Sequence, residues 1–222
     1  MIKALLLVLD PAVGWDKIVL AKRTWPRILF GYLMPLWLLT FAAEGFGLVH
    51  WGKPRSVVHD IKPFTHSEAL IFEILQLGLA LAVVFVGAKL IKALGETFHG
   101  RNTFTQSFTV TAYGLSPVFA LHIFDMFQSV SSWAYWAVWI VGILLTFMIL
   151  YHGVPRVMLP DPPHAFGLYL TSCVFLAMVS GLARFLTYWY LDGKFGKLDD
   201  LIAQLVAHVP FLQALDRMDF LK

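Results

Sequence analysis

Apolar residues in this chain group into five long runs, separated by short segments that carry most of the charged residues. Each run has about 20 residues or more, the length that an α-helix needs to cross about 30 Å of hydrocarbon. The pattern therefore predicts an all-α integral membrane protein with a bundle of five transmembrane helices. The predicted spans are residues 28–49, 70–94, 108–127, 133–151 and 166–190.

The third run is the most polar of the five, with Thr109, Thr111, Tyr113 and Ser116 close to Pro117. A helix of this composition persists in a bilayer when its polar face meets neighbouring helices. We therefore predict that the third span is the most enclosed and that Pro117 kinks it.

Both ends of the chain carry amphipathic segments. Asp10 followed by Pro11 is typical of a helix N-terminus, and residues 10–23 are predicted to form an interfacial helix. The apolar run 4–9 is too short for the core of a signal peptide. Apolar residues also recur at helical spacing after residue 192, which predicts a helix that lies on the outer leaflet, caps the bundle or docks a partner. The expected domains are a five-span unit, 1–191, and an amphipathic tail, 192–222.

Composition agrees with a membrane environment and excludes several other classes. Hydrophobic residues make up 59% of the chain and charged residues 14%, against about 25% charged in soluble domains. The mean hydropathy is +0.71. The net charge of +3 comes without a run of basic residues, so no nucleic-acid partner is expected. The single cysteine, Cys173, excludes an internal disulfide framework.

The distribution of lysine and arginine indicates the orientation. With the N-terminus inside, nine of the 17 basic residues lie on inner segments, seven lie on outer segments, and Arg184 lies within the fifth span. The basic residues that precede the first span weigh most under the positive-inside rule. We therefore expect a cytoplasmic N-terminus and a C-terminus outside. The basic residues on inner segments are Lys3, Lys17, Lys22, Arg23, Arg27, Lys89, Lys92, Arg101 and Arg156.

The sequence lacks the familiar catalytic signatures. Residues 95–102 place two glycines at the spacing of a phosphate-binding loop, but the Lys-Ser/Thr pair that would contact phosphate and magnesium is missing. We therefore expect a non-enzymatic protein, with a membrane-embedded metalloenzyme acting on lipid as the remaining enzymatic hypothesis. Gly78, Gly87 and Gly181 are predicted to permit close packing of helices.

Five ionisable residues fall inside predicted spans, where a charge is costly without a partner. His122 and Asp125 are three residues apart and share one helix face. Three carboxylates accompany one guanidinium, which leaves a formal surplus of two negative charges in the outer half of the membrane. The five residues, our candidate ion or proton site, are Glu44, Glu73, His122, Asp125 and Arg184.

Three hypotheses fit this group of residues. An ion pair centred on Arg184 could hold helices together, with the remaining groups hydrated near the headgroups. The carboxylates and imidazole could instead carry a proton or a cation along a pathway. They could also hold a fixed divalent metal, with Glu73, His122 and Asp125 as candidate ligands. No resident cofactor is expected, while a bound lipid or divalent cation would fit the composition.

Several short stretches resemble one known family. They are Asp10-Pro11 with Trp15 and Ile18, the segment 100–117, and the segment 151–169. Together they are similar to the Yip-domain (Ypt-interacting protein) family of small five-span membrane proteins, in its bacterial branch. The positions that match the family pattern are Gly100, Phe104, Tyr113, Pro117, Gly153 and Pro155.

The resemblance implies five spans with the N-terminus inside, and it brings no catalytic signature. The long cytosolic tail of the eukaryotic members and their Asp-Leu-x-Gly-Pro stretch are missing here, so binding of a small GTPase is not expected. The family implies a bacterial inner-membrane protein that associates with itself or with other membrane proteins. The expected function is an adaptor or organiser of membrane protein assembly, and the alternative is a small cation- or proton-coupled transporter or channel.

Overall fold

The computed structural model describes residues 7–54, 61–62, 64–100, 103–127 and 132–217, and these residues are almost entirely helical. Short helical variants extend three of the helices: a π-helix at Leu29–Leu33 and 3-10 helices at His122–Phe127 and Pro162–His164. Two-residue strands, Lys53–Pro54 and Ile61–Lys62, pair antiparallel. The α-helices are Pro11–Leu20, Trp25–Ile28, Met34–His50, His66–Thr97, Phe104–Gly114, Ser116–Leu121, Ser132–Met158, Ala165–Leu191, Gly196–His208 and Pro210–Arg217.

Five helical stretches are long and apolar enough to cross a membrane, which confirms the predicted number of spans. Each extends beyond the apolar run that predicted it, because a helix continues into the interface where its polar ends meet water. In chain order, and named below as the first to fifth spans, they are Trp25–His50, His66–Thr97, Phe104–Phe127, Trp133–Met158 and Pro162–Leu191.

The third span is the most enclosed, as predicted. In its most apolar stretch 72% of the residues are buried, against 50% or less in each of the other spans. Its buried serine and threonine hydroxyls bond to the helix itself; Thr111 Oγ1, for example, donates to the carbonyl oxygen of Ser107 at 2.9 Å. The α-helix stops at Gly114 and resumes at Ser116, and Pro117 occupies the first turn of the second segment.

The N-terminal helix Pro11–Leu20 begins as the sequence predicted. Asp10 is its N-cap, and the backbone N–H of Val13 donates to Asp10 Oδ1 at 3.2 Å. Trp15 is fully buried, and its indole N–H donates to the carbonyl oxygen of Ile149 at 2.8 Å. This helix is therefore docked on the fourth span through its apolar face.

The tail forms two helices rather than the single predicted one, because Pro210 cannot continue the hydrogen-bond ladder of the preceding helix. Ile202 and Leu212 are buried. The backbone N–H and hydroxyl of Ser67, at the start of the second span, donate to the two carboxylate oxygens of Asp216 at 2.9 and 2.6 Å. The tail therefore caps the bundle, while its division from the bundle at residue 192 stays a prediction.

Two of the three glycines predicted at close helix contacts occupy them. A Cβ atom at Gly87 would lie 2.7 Å from Leu176 Cδ2, and one at Gly181 would lie 3.0 Å from the Trp139 ring. The prediction for Gly78 is wrong, because no heavy atom of the described residues lies within 4 Å of a Cβ built there.

Candidate functional site

The structure brings the five ionisable residues of the spans together at the end of the bundle opposite the N-terminal helix. We call this group the polar cluster. Its members come from four spans: Glu44 from the first, Glu73 from the second, His122 and Asp125 from the third, and Arg184 from the fifth. Four segments distant in sequence are therefore linked through charged groups.

Arg184 is the centre of the polar cluster. Its guanidinium binds the Asp125 carboxylate with both terminal nitrogens, Nη1 to Oδ2 and Nη2 to Oδ1, the latter at 2.8 Å. Nη2 also donates to the carbonyl oxygen of Tyr135 at 2.7 Å, and the guanidinium carbon lies 3.3 Å from the Tyr135 ring centroid. Arg184 and Asp125 are 5% and 2% exposed. A charge buried to this extent needs such pairing, and here the pairing joins the third, fourth and fifth spans.

His122 extends the cluster to the first span. Its Nδ1 lies 2.9 Å from Asp125 Oδ2 and 3.9 Å from Glu44 Oε2. The segment His122–Phe127 is a 3-10 helix, in which residues three apart are eclipsed, so His122 and Asp125 share a face as predicted. Glu44 is fully buried within an unbroken helix.

Glu73 lies beside this network. Both of its carboxylate oxygens are buried, and neither accepts a hydrogen bond from a described residue. The side chain packs on the first span at Gly45, where a Cβ atom would lie 3.3 Å from Glu73 Cγ and Oε1. Gly45 therefore leaves room for a carboxylate against the neighbouring helix.

The residues that could hold a cation differ from the predicted set. Ligand atoms of Glu44, His122 and Asp125 lie within 4.8 Å of one another, whereas the expected set had Glu73 in place of Glu44. An imidazole with two carboxylates suits a divalent metal. However, both oxygens of Asp125 already accept hydrogen bonds from Arg184, so a metal would have to share that carboxylate with a guanidinium.

A cavity of about 30 Å³ adjoins the polar cluster. Three buried donors without an acceptor among the described residues belong to side chains that line it: Gln76 Nε2, Trp139 Nε1 and Arg184 Nε. This volume holds about two water molecules, which could accept from these donors.

Two contributors to the cluster had no signal in the sequence. Tyr135 supplies a carbonyl oxygen and a ring face to Arg184, but an aromatic residue near a span end is ordinarily assigned to the interface. Thr187 donates to Gln76 Oε1 at 3.2 Å, and two residues that lie 111 positions apart in different spans cannot be paired from the sequence spacing.

Most positions that carried the family resemblance lie at the other end of the bundle. Phe104 packs against Trp25 with ring centroids 6.0 Å apart, and the Tyr113 ring lies 4.5 Å from that of Tyr32. A Cβ atom at Gly153 would lie 2.2 Å from the Trp15 ring. These residues fix the packing of the span ends that lie beside the N-terminal helix. The neighbouring Arg101 and Asn102 lie outside the described residues, as do Lys3, Arg55 and Lys222, which entered the orientation count.

Comparison with known proteins gives one match. A family model described as the Yip1 domain matches residues 5–193, which include the N-terminal helix and all five spans. No curated protein and no solved structure matches the chain.

Proposed function

The chain belongs to the Yip1 domain family, a family of membrane proteins, and from this premise we propose that it is a non-enzymatic organiser of membrane protein assembly. It is a multi-pass membrane protein with five spans. In the proposed role it associates with other membrane proteins or with itself, in a bacterial inner membrane with its N-terminus in the cytoplasm. Small GTPases and nucleic acids are not expected partners.

The internal pairing of the polar cluster is the observation that carries this proposal. The Arg184 guanidinium donates hydrogen bonds to the Asp125 carboxylate and to the Tyr135 carbonyl oxygen. The adjoining cavity holds about two waters. A site that moved ions or converted a substrate would need an open position. Among the described residues, the polar cluster instead joins spans into a fixed unit, which suits a protein that presents surfaces to others.

The tail offers such a surface. While Ile202 and Leu212 face the bundle, Leu201 and Phe211 are 59% and 63% exposed. Apolar side chains on the outer face of a capping helix support contact with a partner or with the membrane surface. The family match ends at residue 193, so this surface is a property of this chain beyond the family model.

Native mass spectrometry of the protein, released gently from its own membrane after crosslinking, tests the proposal. We expect a discrete hetero- or homo-oligomer that weakens when Leu201 and Phe211 are both replaced by serine. Leu20→Ser, at an even more exposed apolar position on the N-terminal helix, is the control. A wild-type protein that stays monomeric and alone after crosslinking would contradict the proposal.

A cation- or proton-coupled transporter is the second candidate, favoured by the buried Glu73 carboxylate that accepts no hydrogen bond from a described residue. In that case Glu73→Gln and Asp125→Asn should abolish flux in proteoliposomes while the protein stays folded. Glu96→Gln is the control, because Glu96 is exposed and pairs only with Lys92 at 3.5 Å among the described residues. Absence of wild-type flux with protons and with mono- and divalent cations would remove this candidate.

A further inference from the structure

A second cavity, of about 350 Å³, lies at the end of the bundle opposite the polar cluster. We call it the basic cavity. It is enclosed by the end of the N-terminal helix, the beginnings of the first and third spans and the end of the fourth. Its size is within the range of small-ligand sites. The residues that line it are Ile18, Val19, Lys22, Arg23, Thr24, Ile28, Thr105, Gln106, Thr109, Tyr113, Arg156 and Val157.

The charges around this cavity are of one sign. Lys22, Arg23 and Arg156 line it, and no carboxylate is among its described lining residues. Arg156 is partly neutralised, because its Nε lies 3.0 Å from Asp16 Oδ1. Lys22 and Arg23 form no ion pair with any residue of the described ranges. The cavity therefore has an uncompensated positive charge that favours an anion.

Tyr113 forms a buried wall of the cavity and supplies a second, independent indication. The residue is fully buried, and its hydroxyl has no hydrogen bond of normal geometry to a described residue, although Arg23 lies close to it. A buried hydroxyl of this kind is costly unless something binds it. Thr105 and Gln106 lie in the first turn of the helix Phe104–Gly114, whose N-terminal dipole also favours a negative charge.

The backbone conformation of Lys22 also supports an anion-binding site. Its φ is +40°, in the left-handed region where glycine is free of strain and a lysine is not. The strained residue follows Ala21, the C-cap of the helix Pro11–Leu20, and places an ammonium at the cavity. Glycine at this position would relax the turn and remove the charge.

We propose that the basic cavity binds the phosphate group of an anionic phospholipid. The cavity lies where the spans enter the membrane, so a lipid headgroup can reach it from the leaflet. The apolar side chains of Ile28 and Val157 suit the glycerol and the first acyl carbons, while Lys22 and Arg23 face the phosphate. The predicted orientation places this end on the cytoplasmic side, where anionic lipids attract basic residues. The inference does not rest on the proposed organiser role.

Lipid retention measured by native mass spectrometry tests the proposal on the full-length protein. The purified chain is delipidated in neutral detergent and then offered phosphatidylglycerol or phosphatidylcholine, which share the phosphate but differ in net charge. We expect phosphatidylglycerol to be retained at least tenfold more strongly. Arg23→Gln, Lys22→Gly and Tyr113→Phe should each reduce that retention, and Arg23→Gln should reduce it tenfold or more.

Arg27→Gln is the matched control, because Arg27 is exposed, lies four residues after Arg23 and does not line the cavity. A surface charge contributes about a fivefold effect on binding to anionic lipid, so the control should lose less than Arg23→Gln does. Lys22→Gly should retain the wild-type unfolding temperature or exceed it, which separates loss of binding from loss of fold.

Competition with soluble phosphate can overturn the proposal, and so can three results of the retention experiment. They are equal retention of the two lipids, an equal loss in Arg27→Gln and Arg23→Gln, and no change in any cavity variant that remains folded. The competition experiment adds millimolar inorganic phosphate or glycerol phosphate to the protein that holds phosphatidylglycerol. If either displaces the lipid and raises the unfolding temperature in wild type but not in Arg23→Gln, the site belongs to a soluble phosphate compound and the lipid assignment fails.

Discussion

Charged residues are arranged in opposite ways at the two ends of the bundle. At one end, Arg184 lies deep in the protein within the polar cluster, and its guanidinium bonds to Asp125 and to a backbone carbonyl. At the other end, the basic cavity places three cations around open space, and only Arg156 among them has a carboxylate partner in the described residues. Because Arg184 and Asp125 are buried, their charges pair with each other. The cations of the basic cavity lie at the interface, where they can remain without a carboxylate partner until an anion binds.

Breaking the pair at the centre of the polar cluster should have the largest effect. Arg184→Met leaves the Asp125 carboxylate buried without its guanidinium and removes the donor to the Tyr135 carbonyl. We expect the free energy of unfolding to fall by about 3–5 kcal/mol. Titration of the detergent-solubilised protein with a denaturing detergent measures this change.

Two further variants show whether this loss comes from the buried charge. Adding Asp125→Leu to Arg184→Met should recover most of the stability, because an apolar pair is tolerated where a single buried charge is not. Lys194→Met removes an exposed cation at the same end, paired with Asp192 at 3.5 Å, and should cost at most about 1 kcal/mol. Equal losses in Arg184→Met and Lys194→Met would mean that burial does not set the cost of breaking an ion pair at this end of the bundle.

The next effect concerns the docking of the N-terminal helix beside the basic cavity. Gly153→Ala places a methyl group on the Trp15 ring, 2.2 Å from its nearest atom, and should displace the N-terminal helix that carries Lys22 and Arg23. We expect a loss of about 1–3 kcal/mol from overpacking, measured by thermal unfolding, together with weaker retention of phosphatidylglycerol.

Gly78→Ala is the matched control for that variant. No heavy atom of the described residues lies within 4 Å of a Cβ at Gly78, so alanine there should raise stability by up to about 1 kcal/mol through helix propensity. If both substitutions shift the unfolding temperature in the same direction, the close contact between Trp15 and Gly153 does not hold the helix in place.

The smallest effect is expected at the cap over the polar cluster. Asp216→Ala removes the acceptor of two hydrogen bonds from Ser67 and should cost about 1 kcal/mol, as the loss of a helix cap does. Limited proteolysis should then cut the tail faster, with the spans still protected. Gln204→Ala, an exposed change on the same tail, should leave the cleavage rate unaltered, and a rate that matches wild type in both variants would refute the anchoring role of Asp216.

Local chemistry in the sequence predicted the helices well. Asp10 and Pro11 marked a helix start because a carboxylate cap and a proline act within one turn, and the five spans followed from the apolar runs because lipid requires about 20 apolar residues in a row. The tail was predicted as one helix from its apolar spacing, whereas a second helix begins at Pro210. The prediction of a close helix contact at Gly78 was wrong because the sequence shows where small residues lie but not which neighbouring helix approaches them.

The sequence by itself determined the number of spans, the enclosed third span and the presence of five costly ionisable residues within the membrane. Only the tertiary structure decided that Arg184 pairs with Asp125 and Tyr135, that Glu44 rather than Glu73 stands beside His122 and Asp125, and that Lys22, Arg23 and Arg156 converge on one cavity. The reason is physical: helix formation depends on residues a turn or two apart, while charge pairing depends on rotation and depth of helices that are distant in sequence.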